Sequence, residues 1–332
     1  MQQETMVPPT SKIAELENWL VMKPGDLNSI RQLVTRLEHA PKAPGSAGRF
    51  SAAQADIVTS LGADWQADLF EPEHMIEQYR AWLAALRSRG VSQAVPIGQV
   101  FSGRVIKVRG QNAYCGVFLD FFKETGAIPA LCNDCYKVQI LPHDLRAMFQ
   151  TYALLLKLDL PNDNARKCMI ELRDGIKFPY KAYIYCDTVD DVRACLQAFR
   201  DLQAKHGIEG ISSKISHGCS EYGQKHPAFK FPETDDAPEF VPDPQWPAIE
   251  KAYFRSIKLP AHARDSNTRE HVSLRDVFAF CTWVKYADLI GDPTSRAYAT
   301  LRGPDLPQQF IKRVRSQAKI RRREMEELQK TE

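Results

Sequence analysis

The sequence predicts an α+β fold: a central ferredoxin-like β-α-β-β-α-β domain flanked by helical N- and C-terminal regions. Three observations carry this expectation. Between residues 137 and 219, four short runs alternate apolar and polar side chains, the period of a strand with one buried face. Two apolar stripes at three- and four-residue spacing separate the first run from the second and the third from the fourth, which is the period of a helix. Residues 1–92 and 248–332 show the helical period alone.

The elements follow in order. Ser11 caps a helix with Ile13, Leu16 and Leu20 on one stripe, ended by Pro24-Gly25. Asp26 caps a second, with Ile30, Leu33, Val34 and Leu37. Pro41 to Gly48 is a loop, followed by a short helix near Ala52 to Leu61. A longer helix runs from Glu73 to Arg89, with Ile76, Tyr79, Trp82, Leu83 and Leu86 inward. Gln99 to Val108 is rich in β-formers and reads as a strand, while Asn112 to Glu124 fits strand or helix. Lys137 to Ile140 is a strand, and Leu145, Met148, Phe149, Tyr152, Leu155 and Leu156 mark a helix. Lys167 to Leu172 and Tyr180 to Cys186 are strands joined by a turn holding Asp174, Gly175 and Pro179. A turn centred near Lys177 sets Cys168 opposite Cys186. Thr188 caps a helix carrying Val192, Cys195, Leu196, Phe199 and Leu202, with Gly207 past its end. Ile211 to Ser216 is the last strand. Leu274 to Ile290 and a segment from about Pro307 are helical.

The chain therefore divides into a helical region over 1–92 and a central α+β domain over 93–226, whose ferredoxin-like core spans 137–219. A strap follows over 227–247, then a helical region over 248–332 with a basic terminal helix. The strap holds six prolines among acidic residues, a composition that continues neither a helix nor a central strand. In the core, the expected strand order is 4-1-3-2 with both helices on one face. Right-handed crossovers are expected to set the first and third strands side by side and parallel, with the fourth antiparallel to the first on its other side. The end of the fourth strand then lies beside the start of the first.

Composition bounds the function. The 332 residues carry a net charge of +3, 44% apolar and 26% charged side chains, an ordinary globular balance. No apolar run is long enough to span a bilayer, so no membrane partner is expected. Met1 to Pro9 lacks a basic start followed by an apolar stretch, and a cytoplasmic location is the default. Eight cysteines are too few for a disulfide scaffold. Oligomeric state is not legible.

The sharpest chemical signal is Cys132 and Cys135, the chain's one CxxC, immediately before the first core strand. The expected topology carries His217-Gly218-Cys219, at the end of the fourth strand, to the same edge. Two thiolates from a CxxC and a third brought in by the fold suit zinc or an iron–sulfur cluster. His217 or Cys115 completes the shell. Shared coordination predicts that the Cys132, Cys135 and Cys219 sulfurs lie within about 4 Å of one another. A thioredoxin-type CxxC opens a helix, whereas this one opens a strand. The CxxxCxxC of radical S-adenosylmethionine enzymes is absent from the sequence.

A rival reading comes from the polar side of the strands. Lys137, Lys181, Tyr183, Tyr185 and Lys214 fall on one sheet face and suit stacked bases and phosphates. An RNA-recognition motif places aromatic residues on the same strand, although Tyr180 to Tyr185 lacks the basic-Gly start of its signature. The terminal helix adds seven basic residues between Lys312 and Arg323, including Arg321, Arg322 and Arg323. Together they describe a module for RNA or an acidic protein partner. An enzyme cleft near Trp283, Tyr286 and Asp288 is a third option, which a buried amphipathic helix explains equally well. The sequence contains no Ser-His-Asp order, phosphate-binding glycine loop or HExxH. It assigns no reaction.

Overall fold

Alternation along five segments produces one sheet. The computed structural model describes residues 103–109, 115–231, 240–256, 274–298, 306 and 308–330; the helices expected over 1–92 and much of the strap lie outside them. The strands are β1 (Val105–Arg109), β2 (Tyr136–Pro142), β3 (Arg166–Ile170), β4 (Tyr180–Cys186) and β5 (Ile211–His217). They lie in the order β1-β3-β4-β2-β5, and every neighbouring pair is antiparallel.

The structure is thus α+β with a five-stranded antiparallel sheet. This order differs from the four-stranded expectation, because β1 adds an edge beyond β3. The expected parallel pairing is also overturned: β2 and β4, the first and third strands of the core, are adjacent but antiparallel. The reason is the hairpin. A β-α-β crossover makes β2 and β3 parallel, and the return strand β4 enters between them antiparallel to both. The expected meeting of strand ends is present, since Tyr136 at the start of β2 pairs with His217 at the end of β5. Cys168 pairs with Ala182 rather than Cys186, so the β3–β4 turn is centred nearer Gly175 than Lys177.

Seven helices are described: α1 (Cys115–Thr125), α2 (Leu145–Lys157), α3 (Val189–Lys205), α4 (Ser220–Lys225), α5 (Trp246–Tyr253), α6 (Leu274–Ile290) and α7 (Gln308–Gln329). Asp144 and Thr188 cap α2 and α3, accepting from the amides of Ala147 and Asp191. The main core joins Val138, Ile140, Ile170, Ala182 and Ile184 of the sheet to Met148, Tyr152 and Leu155 of α2 and to Val192 and Phe199 of α3. Each Val, Leu, Ile, Met or Phe among them, fully withdrawn from water, contributes about 1.5–3 kcal/mol. Trp283 and Tyr286 of α6 belong to this same core, so the candidate cleft residues there act as packing, while Asp288 is exposed.

The terminal helix is a clamp on the β3–β4 turn. Arg321, only 2% exposed, donates to the carbonyls of Ile176 (2.8 Å) and Arg173 (3.0 Å) and to Glu324 (2.8 Å). Glu324 in turn accepts from the Phe178 amide, and Gln317 donates to the Leu172 carbonyl. Buried carbonyls need donors, and Arg321 supplies them. Arg321 is therefore withdrawn from any partner-binding role; Arg322 and Arg323 remain exposed. No helix among the described residues is long and apolar enough to cross a membrane.

Candidate metal centre

The edge where β2 begins and β5 ends brings the CxxC turn beside Cys219. Cys132 ends a 3-10 turn (Ala130–Cys132), Cys135 precedes β2, Cys219 caps α4, and Cys115 is the first residue of α1. Backbone bonds fix the approach. The Cys135 amide donates to the Cys132 carbonyl at 3.3 Å, closing the CxxC turn, and the Gly218 amide donates to the Cys135 carbonyl at 2.7 Å. Gly218 adopts φ +56°, and a Cβ there would sit 2.1 Å from the Phe229 ring, so only glycine lets β5 turn into Cys219 at this point.

A second apolar cluster buries Cys132 and packs against Cys219. It contains Phe118, Phe122, Ile128, Cys132, Tyr222 and Phe229, with Cys219, Phe240, Trp246 and Phe254 against it. Cys132 Sγ and the Tyr222 hydroxyl share a hydrogen bond of 3.4 Å. Burial pushes the Cys132 thiol up to about 12. The Tyr222 bond opposes this, and the neighbouring Cys219, Cys135 and Cys115 groups add to it. Burial likewise pushes Cys135 up to about 11, against the Lys137 charge and with Cys219 and Cys115. The closer approach expected from shared coordination is not present, because Cys132, Cys135 and Cys219 do not form a group with all ligand atoms within 4.8 Å.

His217 takes another part. Its ring is stacked between Tyr136 (centroids 4.7 Å, 11° interplanar) and Phe229 (4.1 Å, 28°), and Nε2 donates to the Asn133 carbonyl inside the CxxC. Burial lowers its pKa, against that bond. Nε2 braces the CxxC loop and leaves Nδ1 as the ring's remaining donor atom, the arrangement a ligating histidine also uses, so His217 and Cys115 both stay candidates for the fourth position.

Sequence reading missed Tyr222 and Phe229, although Cys219-x-x-Tyr222 spans one helical turn and signals a contact on one face. It also missed the group Cys186, Asp191 and Cys195, whose ligand atoms lie within 4.8 Å of one another. Hydrogen bonds within the protein occupy that group. Asp191 accepts from Asn162 (3.0 Å), Asn164 (2.6 Å) and the Cys195 thiol (3.7 Å), while Asn164 also donates to Cys186 at 3.6 Å. This knot fastens the start of α3 to the end of β4.

The polar sheet face departs from an open binding platform. Tyr183 is 7% exposed and Lys137 6%, while Tyr185 is half-buried. Lys181, 1% exposed, pairs with Glu171 at 3.2 Å. Burial brings Lys181 down to about 8, with the Glu171 charge opposing. Stacking a base needs an accessible ring face, and Tyr183 offers none. Of the residues expected to bind RNA or an acidic partner, Lys214, Arg322 and Arg323 are the ones that face solvent.

Compared with protein-family models, curated proteins and solved structures, the chain shows no match. The functional reading therefore stands on this geometry and its chemistry.

Proposed function

We propose that this chain is a metalloprotein in which Cys115, Cys132, Cys135 and Cys219 hold zinc or an iron–sulfur cluster at the sheet edge. The observation that supports the reading is the meeting of the Cys132–Cys135 turn with Gly218-Cys219 at the sheet edge, where Cys132 and Cys219 pack in one aromatic cluster. Unligated thiols have no need of such assembly, whereas a tetrathiolate site requires it. A single ion at a metal–sulfur distance of about 2.3 Å requires the sulfurs to stand closer together than they do here. The rings of Phe118, Phe122, Tyr222 and Phe229 cover Cys132, while Cys115, Cys135 and Cys219 are half-buried. A reducing, cytoplasmic compartment suits thiol ligands.

We read β2 to β5 with α2 and α3 as a ferredoxin-like unit to which β1 adds an edge strand; the partial order β3-β4-β2-β5 supports this. The module for RNA or an acidic partner is the weaker reading, because Lys137, Lys181, Tyr183 and Arg321 are withdrawn from solvent.

The test is metal analysis and a visible spectrum of anaerobically purified full-length protein. Zinc at about one equivalent without colour supports a structural zinc site. Iron with sulfide and visible charge-transfer absorption supports a cluster. Protein that holds neither, and takes up neither on reconstitution, defeats the proposal.

A further inference from the structure

We propose a separate ion site at the junction of β4 and α3, where Cys186, Asp191 and Cys195 bind a divalent ion of the zinc class. It goes beyond the thiol-edge reading and does not rest on it. The three ligand atoms lie within 4.8 Å of one another, and the Cys195 thiol stands 3.7 Å from Asp191 Oδ1. Around one tetrahedral zinc ion with bonds of about 2.1–2.3 Å, ligand atoms stand about 3.6–3.8 Å apart. Sharing an ion therefore asks these atoms to close by about 1 Å at most.

Local structure builds the group. Cys186 ends β4, and Thr188 caps α3 by accepting from the Asp191 amide, which sets Asp191 in the first helical turn. Cys195 follows four residues on, the spacing that puts two side chains on one helix face. Cys186 and Cys195 are 2% and 0% exposed, while Asp191 is half-buried and gives the ion its way in.

A second observation comes from the loop before β3. Asn164, 6% exposed, spreads one amide nitrogen over three acceptors: the Tyr185 carbonyl (3.0 Å), Asp191 Oδ2 (2.6 Å) and Cys186 Sγ (3.6 Å). That nitrogen has two hydrogens for the three. The amide oxygen has no hydrogen-bond partner among the described residues. A buried oxygen without a partner is costly, and a surplus of acceptors calls for a cation. Half a turn of the amide presents the oxygen to an ion held by Asp191 and Cys186, which makes Asn164 the fourth donor. The Asn162 amide, donating to Asp191 at 3.0 Å, keeps the carboxylate aimed.

Loading exchanges two thiol protons, released to solvent, for one divalent ion: two S–H bonds break and two metal–sulfur bonds form. The exchange leaves the charge of the group unchanged, so a buried place gains no net charge. Soft thiolates are the stronger zinc ligands, and this group has only two. It therefore fills when ion is supplied and is read by titration.

The experiment titrates full-length, reduced C132S/C135S, which lacks the CxxC, with cobalt(II) and then zinc. The same chain carrying C186A, C195A, D191N or N164A is titrated beside it. Cobalt should bind at about one equivalent with cobalt–thiolate charge-transfer absorption, release about two protons per ion, and be displaced by zinc. C186A and C195A should each abolish this uptake, and D191N and N164A should weaken it at least about tenfold. Cobalt without thiolate absorption in C132S/C135S overturns the inference, whatever metal the sheet edge holds. Uptake indifferent to C186A, C195A and D191N overturns it as well. Should C132S/C135S fail to fold, wild type should take up about one equivalent more cobalt than C186A/C195A, and equal uptake overturns the inference. Should the alanine variants fail to fold, D191N, which keeps an acceptor oxygen for Asn162, reads the same loss of affinity.

Discussion

Acid should undo this protein partly through one carboxylate, Glu171. It is fully buried and accepts from the Arg173 amide (2.9 Å), Arg173 Nε (2.9 Å), Arg173 Nη2 (2.7 Å) and Lys181 Nζ (3.2 Å), with Arg104 at 3.4 Å. Burial alone would raise its pKa. The Arg173 hydrogen bonds and the Lys181 and Arg173 charges outweigh it and hold the carboxyl near about 2, from an ordinary 4.5. A carboxyl depressed in the folded state contributes stability that is fully present above its unfolded pKa and is lost as pH falls through the folded one. The window is therefore about pH 4.5 down to about 2, and the contribution is about 3 kcal/mol at 1.36 kcal/mol per unit. Urea denaturation from pH 6 to pH 2 measures it. Wild type should lose about that much across the window, while Glu171→Gln should be less stable at pH 6 and show a flatter pH dependence. Parallel pH profiles in wild type and E171Q would refute the reasoning.

Other expectations follow from the same contacts. Arg321→Ala should cost about 3–5 kcal/mol in a urea titration, because it strips donors from the Ile176 and Arg173 carbonyls and leaves the Glu324 carboxylate without its cation. Reversing the exposed Arg322 and Arg323 should change stability by no more than about 0.5 kcal/mol, and a larger loss there would contradict the clamp. Gly218→Ala should cost about 2–4 kcal/mol, from left-handed backbone strain and the clash with Phe229, read as a lower melting temperature of the stripped protein.

Elements with strong local periods were legible in the sequence, while those set by distant partners were not. Alternation in Tyr180 to Cys186 and the Thr188 cap marked β4 and α3 because the signal lies within the segment itself. The adjacency of Tyr136 and His217 followed from counting crossovers, and with it the gathering of Cys135 and Cys219. The parallel pairing failed because hairpin insertion had been left out of that count. Polarity misled on the Lys and Tyr face. Lysine and tyrosine read as solvent-facing, yet Lys181 is buried by pairing with Glu171, a contact between β4 and the end of β3 that no local pattern announces. Arg321 misled for a related reason. In a run of cations nothing distinguishes the one aimed at the β3–β4 turn from its exposed neighbours. Cys115 joined the ligand candidates without a local motif, and its place at the thiol edge depends on α1 packing through Phe118 and Phe122.

X-ray absorption at the edge of the bound metal, on anaerobically purified wild type, C115S and H217A, tests the central claim most directly. The account predicts a wild-type shell of four sulfurs near 2.3 Å for zinc, a shell short of one sulfur in C115S, and an unchanged all-sulfur shell in H217A. A nitrogen ligand lost in H217A, or a shell indifferent to C115S, would contradict it.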